Sequence, residues 1–582
     1  MGRLRGRIPV IETRADVASR RLWIGLGLAA LVFVALRALS IPRVAFNWDE
    51  FAFFDAIART LEDGRLRTGG RPGLAQLLAL PLVDGCSDEI AVGRIARGLW
   101  LGITLASLAG LFALLSELFR TRRHRFHDAA LGVALIGLLP AFLEWSLQVR
   151  TDQLAIAGGL WGGVALLGSE RRRGWALLAG VAFGLGWLSS QKLAYVAALV
   201  SLLAVGHQAL AGGFDRTRET TRGLLLLAGL GTVLLCFRAT VLVLYALPEN
   251  HPATHVLSPT ILTTHTSPFP FYRATLGFDQ YRALLPTLVP HLLLCVSLLG
   301  TLGFAARRRE LDGAALLGMA VLALGGVVAL FHAAAFSYFW MTLGLFPAVA
   351  GALAVDGIRR RWLDARPQWR RPAAVALWVS LLVPAVFAQS ALLRDTQTVQ
   401  RNSLAFVHRH FGDVKGFHPE GGPFCSSLQP GGIWFSYSIF QAFEGPERRQ
   451  RMDHLRARFH DAPMHYIVES FRLGQFPPEL QAFWSEHFQP YRDSVFVAGR
   501  RFQGGAGTQQ TFDLLVPGRY RWIPYGSPAA VEVDGTLLPA GAELELDAGD
   551  HRVQLDAATQ GLFVLSLDEA PGAAPVAFYK PY

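Results

Sequence analysis

Charged side chains are scarce in this sequence. Only 17% of the 582 residues are Asp, Glu, Lys or Arg, against about 25% in soluble globular proteins. Nearly all of this deficit lies before residue 395, and the remainder has the mixed composition of a soluble protein. The composition and the length together exclude a single soluble domain, and they indicate a membrane region followed by a soluble region.

Cysteine is also rare, with four residues in the chain. Cys236 and Cys295 fall in apolar runs, where a thiol behaves as a small hydrophobic group. Cys86 and Cys425 fall in segments that we place outside the cytoplasm, where a disulfide would persist. The sequence leaves open whether these two are bonded. No cysteines have the spacing of metal ligands.

The N-terminus lacks the marks of a cleaved signal peptide. Six arginines precede residue 22, and the apolar run that follows is long and has no small-residue cleavage site after it. This pattern predicts an uncleaved first membrane span.

Spanning helices need about 20 mostly apolar residues, and eleven stretches qualify. The fifth and sixth are separated only by a short polar hairpin. The predicted spans are 22–41, 99–119, 129–146, 152–169, 174–190, 193–211, 222–247, 285–306, 312–332, 336–356 and 372–394.

The basic residues account for a net charge of +11, but their positions argue against nucleic-acid binding. They cluster in short loops between apolar runs, which is typical of loops retained in the cytoplasm. With a cytoplasmic N-terminus, every arginine triplet falls on that side, and residues 395–582 lie outside. The predicted cytoplasmic segments are 1–21, 120–128, 170–173, 212–221, 307–311 and 357–371.

The predicted fold is therefore a polytopic α-helical membrane protein with an extracytoplasmic C-terminal part. We divide it into a membrane domain, 1–395, an α/β domain, 396–505, and a small β-sandwich-like domain, 506–582, because short alternating strands follow residue 506. Two outer loops, 42–98 and 248–284, are long enough to carry function. The first contains two amphipathic stretches typical of helices lying in the membrane interface.

The segment after the first span carries two adjacent carboxylates, Asp49 and Glu50. Acids at a membrane boundary are costly unless they are solvated, paired or functional; acids in the first turn of a helix are also common. Asp152 has the same two interpretations at the start of the fourth span. Arg71 and Lys192 add cations on the same side. Acids and cations there suit chemistry on a lipid phosphate, with a carboxylate to take a proton and cations to hold a phosphate.

These motifs resemble the C-type glycosyltransferase (GT-C) superfamily. The likeness is to its bacterial branch related to protein O-mannosyltransferases and the aminoarabinose transferase of lipid A, and it covers roughly residues 20–395. It rests on the topology and on short motifs. These are Trp48-Asp49-Glu50, Ala58-Arg59, Asp63-Gly64, Arg71-Pro72, the segment from Gly186 to Lys192, and the segment from His332 to Pro347.

The resemblance implies roles for particular residues. Asp49 would be the general base, Glu50 would assist it or cap the helix, and Asp152 would be the second acid. Arg71 and, more weakly, Lys192 would contact the donor's phosphate. Two departures bear on this. Gly70 stands where relatives can carry an acid, which argues against a bound divalent metal without excluding one, and Gly73 replaces the second proline of the family pattern.

Further candidates lie in later outer segments. The loop 248–284 would contact donor or acceptor, or bind metal through its histidines, although loop histidines are often only solvated. His332 and Tyr338 would touch the donor or belong to an interfacial aromatic belt. The loop candidates are His251, His255, His265, Tyr272 and Arg273.

The leading hypothesis is a glycosyltransferase in the bacterial cytoplasmic membrane. It would transfer one sugar from a polyprenyl-phosphate donor to a protein, lipid or glycan acceptor on the outer face. A transporter or lipid flippase is the main alternative, although we find no obvious inverted repeat and few ionisable residues at mid-span. A glycan polymerase or ligase, or a binding protein built on the soluble domain, are further alternatives.

Overall fold

The computed structural model of the chain is mostly helical before residue 395 and rich in strands after residue 466. This confirms the predicted fold class, a polytopic helical protein with a C-terminal strand-containing region. The structure describes residues 14–67, 73–122, 124–211, 216–245, 313–331, 337–359, 366–412, 424–425, 448–461, 464–469, 473–526, 528–569, 571 and 576–579.

The helices of the membrane region follow the apolar runs of the sequence. Their bounds are α1 Arg14–Ser40, α2 Trp48–Asp63, α3 Leu74–Val83, α4 Glu89–Leu118, α5 Arg125–Gly137, α6 Pro140–Trp145, α7 Thr151–Gly168, α8 Trp175–Ser189, α9 Leu193–Ala211, α10 Arg216–Leu244, α11 Gly313–Phe331, α12 Trp340–Leu343, α13 Leu345–Ile358 and α14 Arg370–Arg394.

Proline divides one predicted span. The run 129–146 forms two helices, α5 and α6, because Pro140 has no backbone N–H to continue the ladder and occupies the first position of a new helix. Within the described residues, three helices are long and apolar enough to cross a membrane by themselves, and six shorter apolar helices accompany them. The predicted span 285–306 lies outside the described residues, so the count of eleven stays a prediction.

Small residues bring the membrane helices close together. A Cβ added to Gly180 in α8 would strike the carbonyl oxygen of Leu226, and one added to Gly229 in α10 would strike that of Leu177. Such close backbone approach is how helices pack in lipid, where the hydrophobic effect gives little drive for association. Helix α7 packs against both α8 and α4, and α11 packs against α13.

Ion pairs join two of the predicted cytoplasmic loops to each other and a third loop to the adjoining end of α4. Asp128, which is buried, lies 3.6 Å from Arg122 and 3.3 Å from Arg359. Arg171 pairs with Glu117 at the end of α4. The arginine-rich loops therefore meet in space, as a common side of the membrane requires. That this side is the cytoplasm stays a prediction.

The first outer loop contains the two predicted short helices, α2 and α3, which pack against each other. Helix α2 ends at Gly64, which adopts the left-handed conformation, φ 66°, that closes helices at low cost. Its inner face buries Phe51, Phe54 and Ile57. The buried face fixes how α2 is rotated, and hence where its first-turn acids point. Their placement in the membrane plane stays a prediction.

In the part of the soluble region that the structure describes there are three α-helices and ten strands. The helices are α15 Thr398–Phe411, α16 Arg448–Asp461 and α17 Pro478–His487. The strands are β1 Tyr466–Val468, β2 Phe488–Arg492, β3 Val495–Gly504, β4 Gln509–Leu514, β5 Gly518–Tyr525, β6 Val531–Val533, β7 Thr536–Leu538, β8 Glu543–Leu546, β9 Gly549–Leu555 and β10 Thr559–Leu565.

The strands form two antiparallel sheets. One has the order β1-β3-β10-β5-β8, with β2 also paired to β3, and the other has the order β4-β9-β6-β7. The β6–β7 hairpin turns at Asp534 and Gly535, whose φ angles of 49° and 82° are those of a two-residue type I′ turn. Phe512 of the second sheet meets Phe502 and Phe563 of the first edge to face, with centroids 4.9 and 6.1 Å apart.

The predicted boundary at 505/506 falls between β3 and β4. Strand β3 pairs with β10 from Thr559 opposite Gly504 to Val564 opposite Gly499. The larger sheet therefore contains strands from both sides of that boundary. The division into two soluble domains stays a prediction.

A disulfide and a buried carboxylate join the membrane and soluble regions. Cys86, between α3 and α4, is bonded to Cys425, with Cα atoms 5.0 Å apart. Glu89, at the start of α4, lies 3.0 Å from Nε2 of His408 in α15 and accepts a hydrogen bond from the backbone N–H of Cys425. These contacts hold the soluble region against the first outer loop.

We expect Cys86→Ser combined with Cys425→Ser to lower the free energy of unfolding by about 2–4 kcal/mol, because the crosslink limits the unfolded chain. Thermal unfolding followed by tryptophan fluorescence would measure the change. Cys236→Ser is the matched control, since Cys236 is an exposed free thiol in α10. Equal midpoints for the double variant and the control would contradict the prediction.

The contact between His408 and Glu89 should make stability depend on pH. The hydrogen bond to Glu89 raises the pKa of His408 above its usual value. Because the folded-state pKa is raised, protonation of His408 stabilises the folded protein. This stabilisation is fully present below the unfolded-state pKa of about 6.5, and it is lost as the pH rises through the folded-state pKa. We expect the thermal midpoint to fall as the pH rises above about 6.5. His408→Gln should remove this part of the fall, whereas His454→Gln, at an exposed position of α16, should keep it.

Candidate active site

Asn47 starts α2 and orients both of the acids that follow it. Its side-chain Oδ1 accepts a hydrogen bond from the backbone N–H of Asp49 at 2.8 Å. The carboxylate of Glu50 in turn accepts from the backbone N–H of Asn47 at 3.0 Å. This reciprocal arrangement is a capping box, which satisfies N–H groups that the first helical turn leaves unpaired. Asp49 and Glu50 are therefore held at a fixed helix terminus.

Glu50 is fully buried against Arg97 of α4. Its Oε2 lies 2.6 Å from Nη2 of Arg97, and its Oε1 lies 2.9 Å from Nε, so the pair is bidentate. The backbone N–H of Val149 also donates to Oε1 at 2.9 Å. Arg97 completes its own contacts on the carbonyl oxygens of Val44 and Ala45. Glu50 caps the helix, and it also joins α2, α4 and the turn before α7; that it assists Asp49 stays a prediction.

Asp49 faces the other way and pairs with a different arginine. Its Oδ2 lies 2.7 Å from Nη2 of Arg150, the residue that precedes α7. The side chain of Asp49 keeps 16% exposure, whereas that of Arg150 keeps only 4%. Asp49 is thus ionically held yet still reachable from outside, unlike Glu50.

A second acid and cation lie on the neighbouring elements. Asp152, in the first turn of α7, lies 2.7 Å from Nζ of Lys192 and accepts a hydrogen bond from Ser190 Oγ at 2.8 Å. Ser190 and Lys192 belong to the hairpin between α8 and α9. The polar hairpin that separates two predicted spans therefore delivers a cation to the start of a third helix.

Tyr338 links the two acid–cation pairs. The guanidinium carbon of Arg150 lies 3.6 Å from the centroid of its ring, and Nζ of Lys192 lies 4.3 Å from the same centroid. Trp145 packs edge to face on Tyr338 at 5.8 Å. Aromatic faces attract cations most strongly where water is excluded. The four charged groups and this ring form one compact cluster, which we call the Tyr338 cluster: Asp49, Arg150, Asp152, Lys192 and Tyr338.

The structure thus brings together four of the residues singled out in the sequence, Asp49, Asp152, Lys192 and Tyr338, and Glu50 lies next to Asp49 in the same helical turn. Among the described residues, no three His, Cys, Asp or Glu side chains are grouped closely enough to hold a metal ion. The remaining candidates lie outside the described residues: Arg71, His251, His255, His265, Tyr272, Arg273 and His332.

Two arginines in the site were missed. Arg150 lies two residues before Asp152 in the same outer segment, but only Asp152 was predicted to belong to the site. Arg97 lies at the edge of the predicted span 99–119, where a lone charge resembles an ordinary flanking residue. Arg150 offered one signal, as the single basic residue of the outer turn 146–151, whereas Arg97 is one of seven arginines in the outer loop 42–98.

Comparison with known proteins finds similar structures but no similar sequences. No protein-family model matches this sequence, and no curated protein matches it. The chain is similar to the oligosaccharyltransferase of Archaeoglobus fulgidus in its apo form, with a TM-score of 0.51, 10% identity, and coverage of 95% of this chain and 98% of that one. It is also similar to ArnT of Cupriavidus metallidurans bound to undecaprenyl phosphate, with a TM-score of 0.51, 13% identity, and coverage of 82% and 97%.

These likenesses extend over nearly the whole length of both proteins. At 10 and 13% identity they establish the fold alone: this chain has the fold of these two proteins, in agreement with the resemblance that the short motifs had suggested. They assign no residue of the Tyr338 cluster to a role.

The buried pair of Glu50 and Arg97 gives a stability prediction. Glu50→Ala should cost about 3–5 kcal/mol, because it leaves an unpaired buried guanidinium. The yield of folded protein and its thermal midpoint would show the loss. Asp49→Ala should change the midpoint far less, since Asp49 is partly exposed and Arg150 keeps its contacts with Gln148 and Tyr338. Equal loss in both variants would contradict the separate roles of the two adjacent acids.

Proposed function

Starting from the GT-C fold, we propose that this chain is a membrane glycosyltransferase. It moves a sugar from a polyprenyl-phosphate-linked donor to a protein, lipid or glycan acceptor on the extracytoplasmic face of a bacterial cytoplasmic membrane. The similarity in fold to ArnT, whose structure was determined with undecaprenyl phosphate bound, supports a donor of this kind. The observation that carries the proposal is the partly exposed carboxylate of Asp49, set near one buried cation, Arg150, and one half-buried cation, Lys192.

In this proposal Asp49 is the general base. Its carboxylate takes the proton from a hydroxyl or amine of the acceptor as the acceptor atom attacks the anomeric carbon of the sugar. The bond from that carbon to the phosphate oxygen breaks, and the electron pair leaves with the polyprenyl phosphate, so configuration is inverted. Asp49 suits this role because it combines a fixed helix terminus with 16% exposure.

Lys192 and Asp152 serve the donor side. The ammonium group of Lys192, 20% exposed, would stabilise the charge that develops on the leaving phosphate. Asp152 and Ser190 hold the hairpin that carries this ammonium in place. Arg71 is the sequence's other phosphate candidate, and it lies outside the described residues.

Glu50 acts in this scheme by position and not by reaction. Its two oxygens accept four hydrogen bonds, from Asn47, Val149 and twice from Arg97. A carboxylate so fully engaged has no free direction for an acceptor proton. It contributes by holding the start of α2, and therefore Asp49, in place.

We expect Asp49→Asn to reduce transfer by at least about 100-fold, the usual range for loss of a general base. Purified protein in lipid discs would be incubated with labelled polyprenyl-phosphate sugars and a membrane extract as the source of acceptors. Covalent transfer of label is then counted for wild type and variant. The thermal midpoint checks that the variant is folded.

Glu62→Gln is the matched control, because Glu62 is an exposed acid at the other end of the same helix. It removes one negative charge and should leave transfer unchanged. Full activity of Asp49→Asn would eliminate Asp49 as the base. Movement of lipid across the bilayer without covalent transfer would instead favour the transporter alternative.

A further inference from the structure

Arg150 has no role in the scheme above, yet it contacts the proposed base directly. Its Nη2 lies 2.7 Å from Oδ2 of Asp49, and its Nη1 donates to Gln148 Oε1 at 3.3 Å. Its guanidinium also stacks against the ring of Tyr338. A buried arginine is therefore shared between the base and the ring beside Lys192.

The backbone of Arg150 is held firmly, so any change of partner involves its side chain alone. Its carbonyl oxygen accepts a hydrogen bond from Trp100 Nε1 at 2.8 Å, and Trp100 is buried in α4. The preceding residue, Val149, is fixed by Glu50. Arginine suits an exchange of partners because its fork binds carboxylate and phosphate with the same geometry.

Charge in the Tyr338 cluster is balanced as the structure stands, with two carboxylates and two cations. An incoming phosphate adds negative charge, and its favourable binding requires a cation to change partners. The ion pair of Lys192 and Asp152 is the harder one to separate, since Asp152 also accepts a hydrogen bond from Ser190 and is only 8% exposed. The ion pair of Arg150 and Asp49 is the easier one to separate. Asp49 has twice the exposure of Asp152, and the positive end of the α2 helix dipole still stabilises its carboxylate when the arginine moves away.

We propose that Arg150 is a positioning residue that exchanges Asp49 for the phosphate of the lipid-linked donor. The exchange frees Asp49 to contact the acceptor only when the donor is bound, because a general base must approach the proton it takes to about 2.6–3.2 Å. This inference rests on the proposed function, and it adds an order to it: donor binding precedes activation of the base. No covalent bond changes in the exchange itself.

The proposal predicts competition between Asp49 and phosphate for one arginine. The competition is measured as the affinity of the full chain, in neutral lipid discs, for polyprenyl phosphate that carries no sugar. Removing the competing carboxylate in Asp49→Asn should tighten binding about tenfold, and Arg150→Gln should weaken it by a similar factor. When Asp49→Asn is added to Arg150→Gln, the affinity for polyprenyl phosphate should rise less than about twofold, because the arginine for which carboxylate and phosphate compete is absent.

Two controls isolate the exchange from general effects of charge and lipid. Glu62→Gln removes a carboxylate from the same helix and should leave the affinity unchanged. Polyprenol, which lacks the phosphate, should bind equally to wild type and Asp49→Asn. Phosphatidylglycerol, tested in place of polyprenyl phosphate, shows whether any phosphate-bearing lipid is accepted.

Arg150→Lys gives a second test if Arg150→Gln does not fold. Because lysine keeps a cation at this position, adding Asp49→Asn to Arg150→Lys should still tighten the binding of polyprenyl phosphate, though by less than the tenfold expected with arginine.

An unchanged affinity in Asp49→Asn would overturn the exchange, as would a tenfold gain that persists without Arg150. These outcomes do not depend on transfer. If Asp49→Asn keeps its transferase activity, the assignment of the base fails while the binding cycle still decides the exchange. If the base is confirmed and the cycle shows no coupling, only the exchange fails.

Discussion

The candidate site depends on one buried ion pair, that of Glu50 and Arg97. Neither side chain has measurable exposure, and both are surrounded by further hydrogen bonds. Charges removed from water are tolerated only when their partners satisfy them this completely. The pair joins the start of α2 to α4, and through the backbone of Val149 it also reaches the turn before α7. Three separate elements are therefore held in register by a single carboxylate and a single guanidinium.

The rest of the site follows from that register. Because Val149 is fixed, Arg150 emerges from the turn at a defined point, and Trp100 of α4 holds its carbonyl oxygen. Arg150 can then reach both Asp49 and the ring of Tyr338. The soluble region reinforces the same loop from outside, since Phe51 of α2 packs edge to face on Phe424 and Phe578.

Local features of the fold could be read from the sequence, and long-range ones could not. Apolar length and arginine-rich loops predicted the helical membrane region, and an Asn three residues before a Glu is a visible helix start. The partner of Glu50 lies 47 residues away and that of Cys86 lies 339 residues away. Composition could place Cys86 and Cys425 on one side, but only tertiary packing decides that they meet. For the same reason the sequence did not show that Arg97 contacts Glu50 or that Arg150 contacts Asp49.

The adjacent acids show how position separates two roles for similar groups. Successive residues of an α-helix point about 100° apart around its axis, since there are about 3.6 residues per turn. Because Phe51, Phe54 and Ile57 fix which face of α2 is buried, Glu50 is turned inward to Arg97 and Asp49 outward to Arg150. A shift of α2 by one residue would bury the proposed base and expose the carboxylate that pairs with Arg97. The apolar face of a short helix thus decides which of two adjacent acids stays partly exposed, so the ion pair and the hydrophobic contacts of α2 must favour the same rotation of the helix.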